Sequence, residues 1–226
     1  MKKSIEFLKK IKRNNNTVWM HAHKEQYLAA KDEFEFLVQE LIVRIGEWDS
    51  RIPFREPKEC VFRFNRDTRF SKNKSPYKEN FGAYISYGGK KADRPGYYLH
   101  LSPKEIFVAG GLWMPKADAL TSARRYIMEE GTDLQKILKD KKFKKTFSGL
   151  TNDDLLKRPP RGFSADHEYA DFFKFKSFTV SAPMTLAQAL KPGFGKLIDQ
   201  RFKLMKPFNH FLDMASTKGM TKLRIV

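Results

Sequence analysis

One cysteine in 226 residues, Cys60, leaves no intrachain disulfide and no cysteine-rich zinc site to be made. That suits a reducing compartment, and Cys60, just before Val61, reads as a small buried apolar side chain. Long apolar runs are missing too. No stretch approaches the roughly 18 residues of a membrane span, and the basic start Met1-Lys2-Lys3 leads into Ile5-Glu6-Phe7-Leu8-Lys9-Lys10, which is amphipathic rather than the apolar core of a secretory signal. A cytoplasmic, soluble protein without membrane insertion is the expectation. Several site motifs are also absent: the Gly-x-x-x-x-Gly-Lys-Ser/Thr phosphate loop, the Gly-x-Gly-x-x-Gly fingerprint, the Gly-x-Ser-x-Gly elbow and His-Glu-x-x-His. Their absence disfavours the familiar nucleotide-binding, hydrolase and zinc-protease classes, and nothing names a cofactor.

Acidic residues are scarce as well. Twenty-six Asp and Glu face 44 Lys and Arg, a net charge of +18, which raises the concentration of polyanions at the surface. What the chain has in quantity is phenylalanine: 20 residues, in a composition 41% hydrophobic, enough for a substantial aromatic core and a single α+β domain over residues 1–226.

Periodicity gives the elements. Ser4 is placed to cap a short helix over Ile5–Ile11, and the asparagines at 14, 15 and 16 favour a turn. From Thr17 a long helix is expected, with Tyr27, Ala30, Phe34, Leu37, Val38, Leu41, Ile45 and Trp48 at spacings of three and four. Its His21 and His23 point about 200° apart on a helix, so they do not make a metal pair. A strand is read over Cys60–Arg66, with Phe62 and Phe64 on one face. Further strands are read at Phe81–Tyr87, Gly96–Ser102 and Ile106–Gly110, joined by turn-like connectors at 88–95 and 102–105. Short connectors favour a meander. A helix follows Pro115 and stops before Gly131, a second begins at Thr132, and 136–145 is a lysine-rich run. A later strand is read over Phe172–Ala182 and a last helix over Lys196–Met214, with a loose tail from Ser216. The fold class is α+β: an antiparallel sheet, a meander of about four strands plus a later strand, packed against N-terminal and C-terminal helices.

The densest polar stretch is Val61–Lys78. Arg63, Arg66, Arg69, Lys72, Lys74 and Lys78 bring six cations, against the one carboxylate of Asp67, into sixteen residues. Arg63-Phe64-Asn65-Arg66-Asp67-Thr68-Arg69-Phe70-Ser71 with Lys74-Ser75-Pro76-Tyr77-Lys78 resembles the signature of a widespread uncharacterised family, domain of unknown function 2461. The resemblance continues through Asn14-Asn15-Asn16, Trp19, Gly96–His100, Gly110–Pro115, Pro160–Phe163, Asp166-His167 and Lys176–Phe178, covering nearly the whole chain. It departs from the family pattern at Lys72-Asn73, where an acidic residue is expected, and at Glu168, where a proline is. The family brings no established activity with it.

Arg63, Asn65, Arg66, Asp67, Arg69, Lys78, His100, Trp113, Arg161, Asp166 and His167 form the candidate ligand-binding set. Arginine forks bind phosphate or carboxylate, and His100, His167 and Asp67 are the candidates for proton transfer; no metal site is read. The first expectation is a small phosphorylated or carboxylated ligand held where these segments meet, with or without catalysis. The second is nucleic acid, on the net charge and on Tyr84, Tyr87, Tyr97 and Tyr98 as stacking surfaces. The third is a scaffold protein with no ligand pocket.

Overall fold

The computed structural model describes residues 1–90, 93–152 and 154–223; Lys91 and Ala92 of the expected 88–95 connector lie outside the described residues. Four strands, β1 (Phe81–Ser86), β2 (Gly96–Leu101), β3 (Ile106–Leu112) and β4 (Phe178–Met184), form one antiparallel sheet in the order β1-β2-β3-β4. The meander and its later strand are therefore present, with helices flanking the sheet. The chain divides into two compact units: residues 1–85, 98–108 and 183–200 form one, and residues 86–97, 109–182 and 201–226 the other.

The first unit holds α1 (Lys2–Arg13), α2 (Thr17–Ala22), α3 (Lys24–Trp48), α4 (Pro57–Cys60), α8 (Leu186–Leu190) and the start of α9 (Phe194–Leu223). Ser4 is not a cap. It lies inside α1, fully buried, where its hydroxyl lies 2.9 Å from Ala30 O and 2.7 Å from the Glu33 carboxylate and shares its one proton between them, tying α1 to α3. Helix formation begins earlier than the apolar spacing suggested because Lys2 and Lys3 are good helix formers. The long helix expected from Thr17 is two helices, broken at His23, whose ring stacks on Trp19 at 4.1 Å and whose Nδ1 lies 2.9 Å from Trp19 O. Below the break α3 follows its pattern, burying Ala30, Phe34, Leu37, Val38, Leu41 and Ile45, while Arg44 and Glu40 pair at 2.9 Å on the wetter side. Buried charge in this unit is compensated. Asp49 receives two hydrogen bonds from Arg51, and Asp199 accepts from Trp48 Nε1 at 2.8 Å. Cys60 is buried, as its context suggested.

The expected strand over Cys60–Arg66 is not formed. Cys60 closes α4, and only isolated antiparallel bridges follow, Val61 with Ala83 and Asn65 with Tyr77. Between them the backbone bends, so Phe62 and Phe64 do not share a face: Phe62 is exposed, and Phe64 is buried among Phe7, Tyr27, Tyr77 and Phe81. Alternation in the sequence thus failed because pairing with β1 stops at Val61 and Phe62, beyond which no strand keeps the segment flat.

The second unit is built on α5 (Ala117–Lys139), α6 (Lys141–Phe147), α7 (Ala170–Phe173) and the remainder of α9. The boundary expected at Gly131 is a kink: Glu130 leaves helical geometry at φ −121° and the helix resumes. Asp140 caps α6 by accepting Phe143 N–H at 2.8 Å, so the lysine-rich run belongs to two helices. The strand expected over Phe172–Ala182 begins only at Phe178. Its first residues close α7, and Phe175 makes a single bridge to Leu155. The tail expected to be loose from Ser216 is helical as far as Leu223 in α9, and its residues 224–226 lie outside the described residues. Phe143, Phe173, Phe178, Phe202 and Phe208 are almost fully buried here, the aromatic core that the composition implied.

Candidate functional site

The Val61–Lys78 segment is held by a short antiparallel ladder. Arg66 N–H donates to Pro76 O and Lys78 N–H to Phe64 O, both at 2.9 Å. Asn15 fastens it from outside: the amide nitrogen donates to Tyr77 O, and the amide oxygen accepts Tyr77 N–H, each at 3.0 Å. Asn16 caps α2 by accepting Trp19 N–H at 2.8 Å. The asparagine run is therefore more than a turn former; it positions the basic segment against the start of α2 and α3.

Within the segment most cations are already engaged. Arg66 donates to Ser75 O and Ser71 Oγ, both at 3.3 Å, and Lys74 Nζ donates to Thr68 O at 3.0 Å. Arg69 forks onto Asp67 at 3.0 and 2.8 Å. Side-chain and then backbone hydrogen bonds from Arg69 hold the Asp67 carboxyl below the usual carboxylate range. The Lys78 ammonium lies over the Phe62 ring at 5.5 Å, and Arg63 is exposed.

Beside this ladder lies a pocket of about 450 Å³ lined by Met20, His21, Lys24, Tyr27, Phe64, Asn65 and Tyr77. Its wall is aromatic: Phe64 lies 5.2 Å from Tyr27 and 5.9 Å from Tyr77 between ring centroids. Lys24 and His21 are exposed, and burial raises the Tyr27 hydroxyl pKa. Of the expected set Asn65 lines this pocket; the other six residues were missed. Reading α2 and α3 as one scaffold helix hid Met20, His21, Lys24 and Tyr27, while Phe64 and Tyr77 lie in the basic segment itself, where the charged side chains drew the reading.

His100 sits on the sheet face away from the buried Leu99 and Leu101. Its Nδ1 lies 3.1 Å from Tyr98 Oη, its ring stacks on Phe107 at 4.7 Å, and its Nε2 is 3.8 Å from Glu105. Burial pushes Tyr98 up to about 12 and His100 below its ordinary value, the latter opposed by Glu105. A pH dependence follows. The unfolded chain takes up the imidazole proton near pH ~6.5 and the folded chain only at lower pH. The histidine's contribution to stability is thus complete above ~6.5 and is lost as the pH falls through the folded pKa. Urea midpoints should drop as the pH falls below about 6.5, and His100→Gln should flatten that drop; an unchanged slope in the variant would remove His100 from the account.

Trp113, Arg161, Asp166 and His167 fall in the second unit. Trp113 is 71% exposed on a turn where Met114 adopts φ 43°, a left-handed conformation secured by Met114 N–H donating to Ser177 Oγ at 2.9 Å. Arg161 and Asp166 are exposed. His167 is structural at both ends: Nδ1 accepts Tyr169 N–H at 3.1 Å, and its carbonyl accepts Ala170 N–H at 2.9 Å at the entry to α7. Among the described residues no group of three or more His, Cys, Asp or Glu is arranged to hold a metal ion, and no helix is long and apolar enough to cross a membrane.

One protein family matches nearly the whole chain. A family model described as conserved hypothetical protein, domain of unknown function 2461, matches residues 3–211. The chain belongs to this family. No curated protein and no solved structure matches it. In this member of domain of unknown function 2461, Asn15 orders the basic segment and Asn16 caps α2, while Gly111 and Ser177 shape the turn at Trp113.

Proposed function

We propose that the protein binds a small ligand with an aromatic or apolar body and a phosphate or carboxylate group, in the first unit's pocket. The observation that carries this reading is the meeting of an aromatic wall, Tyr27, Phe64 and Tyr77, with Lys24, His21 and Asn65 in one concavity of about 450 Å³, a size usual for small-molecule sites. The rings would cover the ligand body. Lys24 supplies charge, and the Asn65 amide supplies a directional donor. Arg69, committed to Asp67, is not needed. The strand tyrosines offered for base stacking give less support to nucleic acid: Tyr97 is buried against Phe202, and Tyr98 is bonded to His100.

Calorimetric titration with phenyl phosphate and with benzoate tests the reading. Saturable binding is expected for at least one probe. Lys24→Ala should weaken it by about tenfold, the effect of losing one charge-assisted contact of ~1.4 kcal/mol, and Arg69→Ala should leave it unchanged. No binding of either probe at millimolar concentration, or equal loss in both variants, would overturn the proposal.

A further inference from the structure

Arg124 stands apart from every charged group described so far. It occupies a core-facing position of α5, on the stripe that buries Ala123, Ile127 and Leu134, and it is 5% exposed. A leucine would satisfy the amphipathic pattern there. Nη2 donates to Phe175 O at 2.9 Å, while Nε is buried with no acceptor among the described residues. Burial lowers its pKa, and no carboxylate of the described residues enters the balance.

Compensation is what usually accompanies such burial, because a guanidinium withdrawn from water loses hydration that a lone carbonyl does not replace. Asp49, buried like Arg124, has the opposite charge of Arg51 beside it. Arginine is moreover always charged, so it does not escape by releasing its proton. A buried fork with an unused donor is instead complementary to an oxyanion that arrives from outside the chain.

We propose that Arg124 is an anion-binding residue of the second unit, receiving the terminal phosphate or carboxylate of a small ligand beside Phe175. The donor geometry suits either oxyanion. A residue only 5% exposed does not lie along the continuous backbone of a polyanion, so an end group is the form of oxyanion proposed. This site is separate from the pocket containing Lys24 and stands or falls independently of it.

The test is nitrogen-proton NMR of arginine Nε–H groups in the full chain, with inorganic phosphate and acetate titrated separately at constant ionic strength. The Arg124 Nε–H proton should move downfield and saturate with a dissociation constant of about 1 mM or tighter, in phosphate, acetate or both; which of them acts identifies the oxyanion. Lys24→Ala should leave this response intact, whereas failure of the Lys24 pocket would appear only with the aromatic probes. Arg124→Met supplies the second readout. Without added anion it should melt at or above the wild-type temperature, since an uncompensated buried charge has been removed. Wild type should gain about 3 °C at about ten times the dissociation constant, and the variant nothing. A wild-type Nε–H signal indifferent to both anions overturns the proposal, and so does an Arg124→Met variant that retains the full anion-induced shift in melting. If the variant does not fold, the wild-type titration decides alone.

Discussion

Gly111→Ala is expected to melt far below wild type, losing roughly 2–6 kcal/mol of stability. Gly111 adopts φ +114° in β3, a conformation that L side chains rarely take, and a Cβ there would run into the carbonyl oxygen of Phe178 and lie 2.9 Å from Phe208 Cε1. A flexible side chain could swing aside. The Phe178 carbonyl belongs to β4, so relief requires moving the strand itself. Backbone strain of roughly 1–3 kcal/mol and overpacking of roughly 1–3 kcal/mol fall on the same atom, against a total stability of about 5–15 kcal/mol. Urea or thermal denaturation followed by circular dichroism measures the outcome. Gly46→Ala is the control: it lies within α3 with nothing within 4 Å of the added methyl, and it should be neutral or stabilising by up to about 1 kcal/mol. A Gly111→Ala protein melting within a few degrees of wild type would mean that β3 and β4 do not pack as described.

Phe64→Ala should destabilise by about 3–5 kcal/mol, because its ring is 5% exposed and packs on Phe7, Tyr27, Tyr77 and Phe81. Phe62→Ala, two residues earlier, should cost about 1 kcal/mol or less, since that ring is 36% exposed and meets Tyr98 by its edge. The contrast is the informative quantity. Two phenylalanines on one face of a regular strand would cost similar amounts, and equal losses would restore the strand that the structure lacks. Phe64 is also a wall of the proposed ligand pocket. Binding of phenyl phosphate or benzoate should therefore be lost in Phe64→Ala and kept in Phe62→Ala, measured at a temperature where both remain folded.

These variants separate two kinds of information. The meander of β1 to β3 was legible because each strand is bounded by turn residues and its apolar side chains alternate, two local signals that agree. The Tyr97, Leu99, Leu101 face against Tyr98 and His100 was readable for the same reason. Phe172–Phe178 was misread because its phenylalanines suit a short helix and a strand equally well, and burial around Phe173 chose the helix. Family membership was legible through several spaced motifs at once.

The sequence by itself determined the α+β class, most of the helices, the aromatic core and the basic character of Val61–Lys78, all of which depend on neighbours a few residues apart. Tertiary structure decided what that basic segment does. It committed Arg69 to Asp67, sent Phe64 inward and Phe62 outward, and used Asn15 to clamp Tyr77 from 62 residues away, so that a pocket opens beside Asn65. It also buried Arg124 with no carboxylate beside it among the described residues. The physical reason is the same in each case: whether a charge is spent or available depends on which groups lie within about 3 Å of it, and for the Asn15 clamp and for Arg124 those groups come from distant parts of the chain.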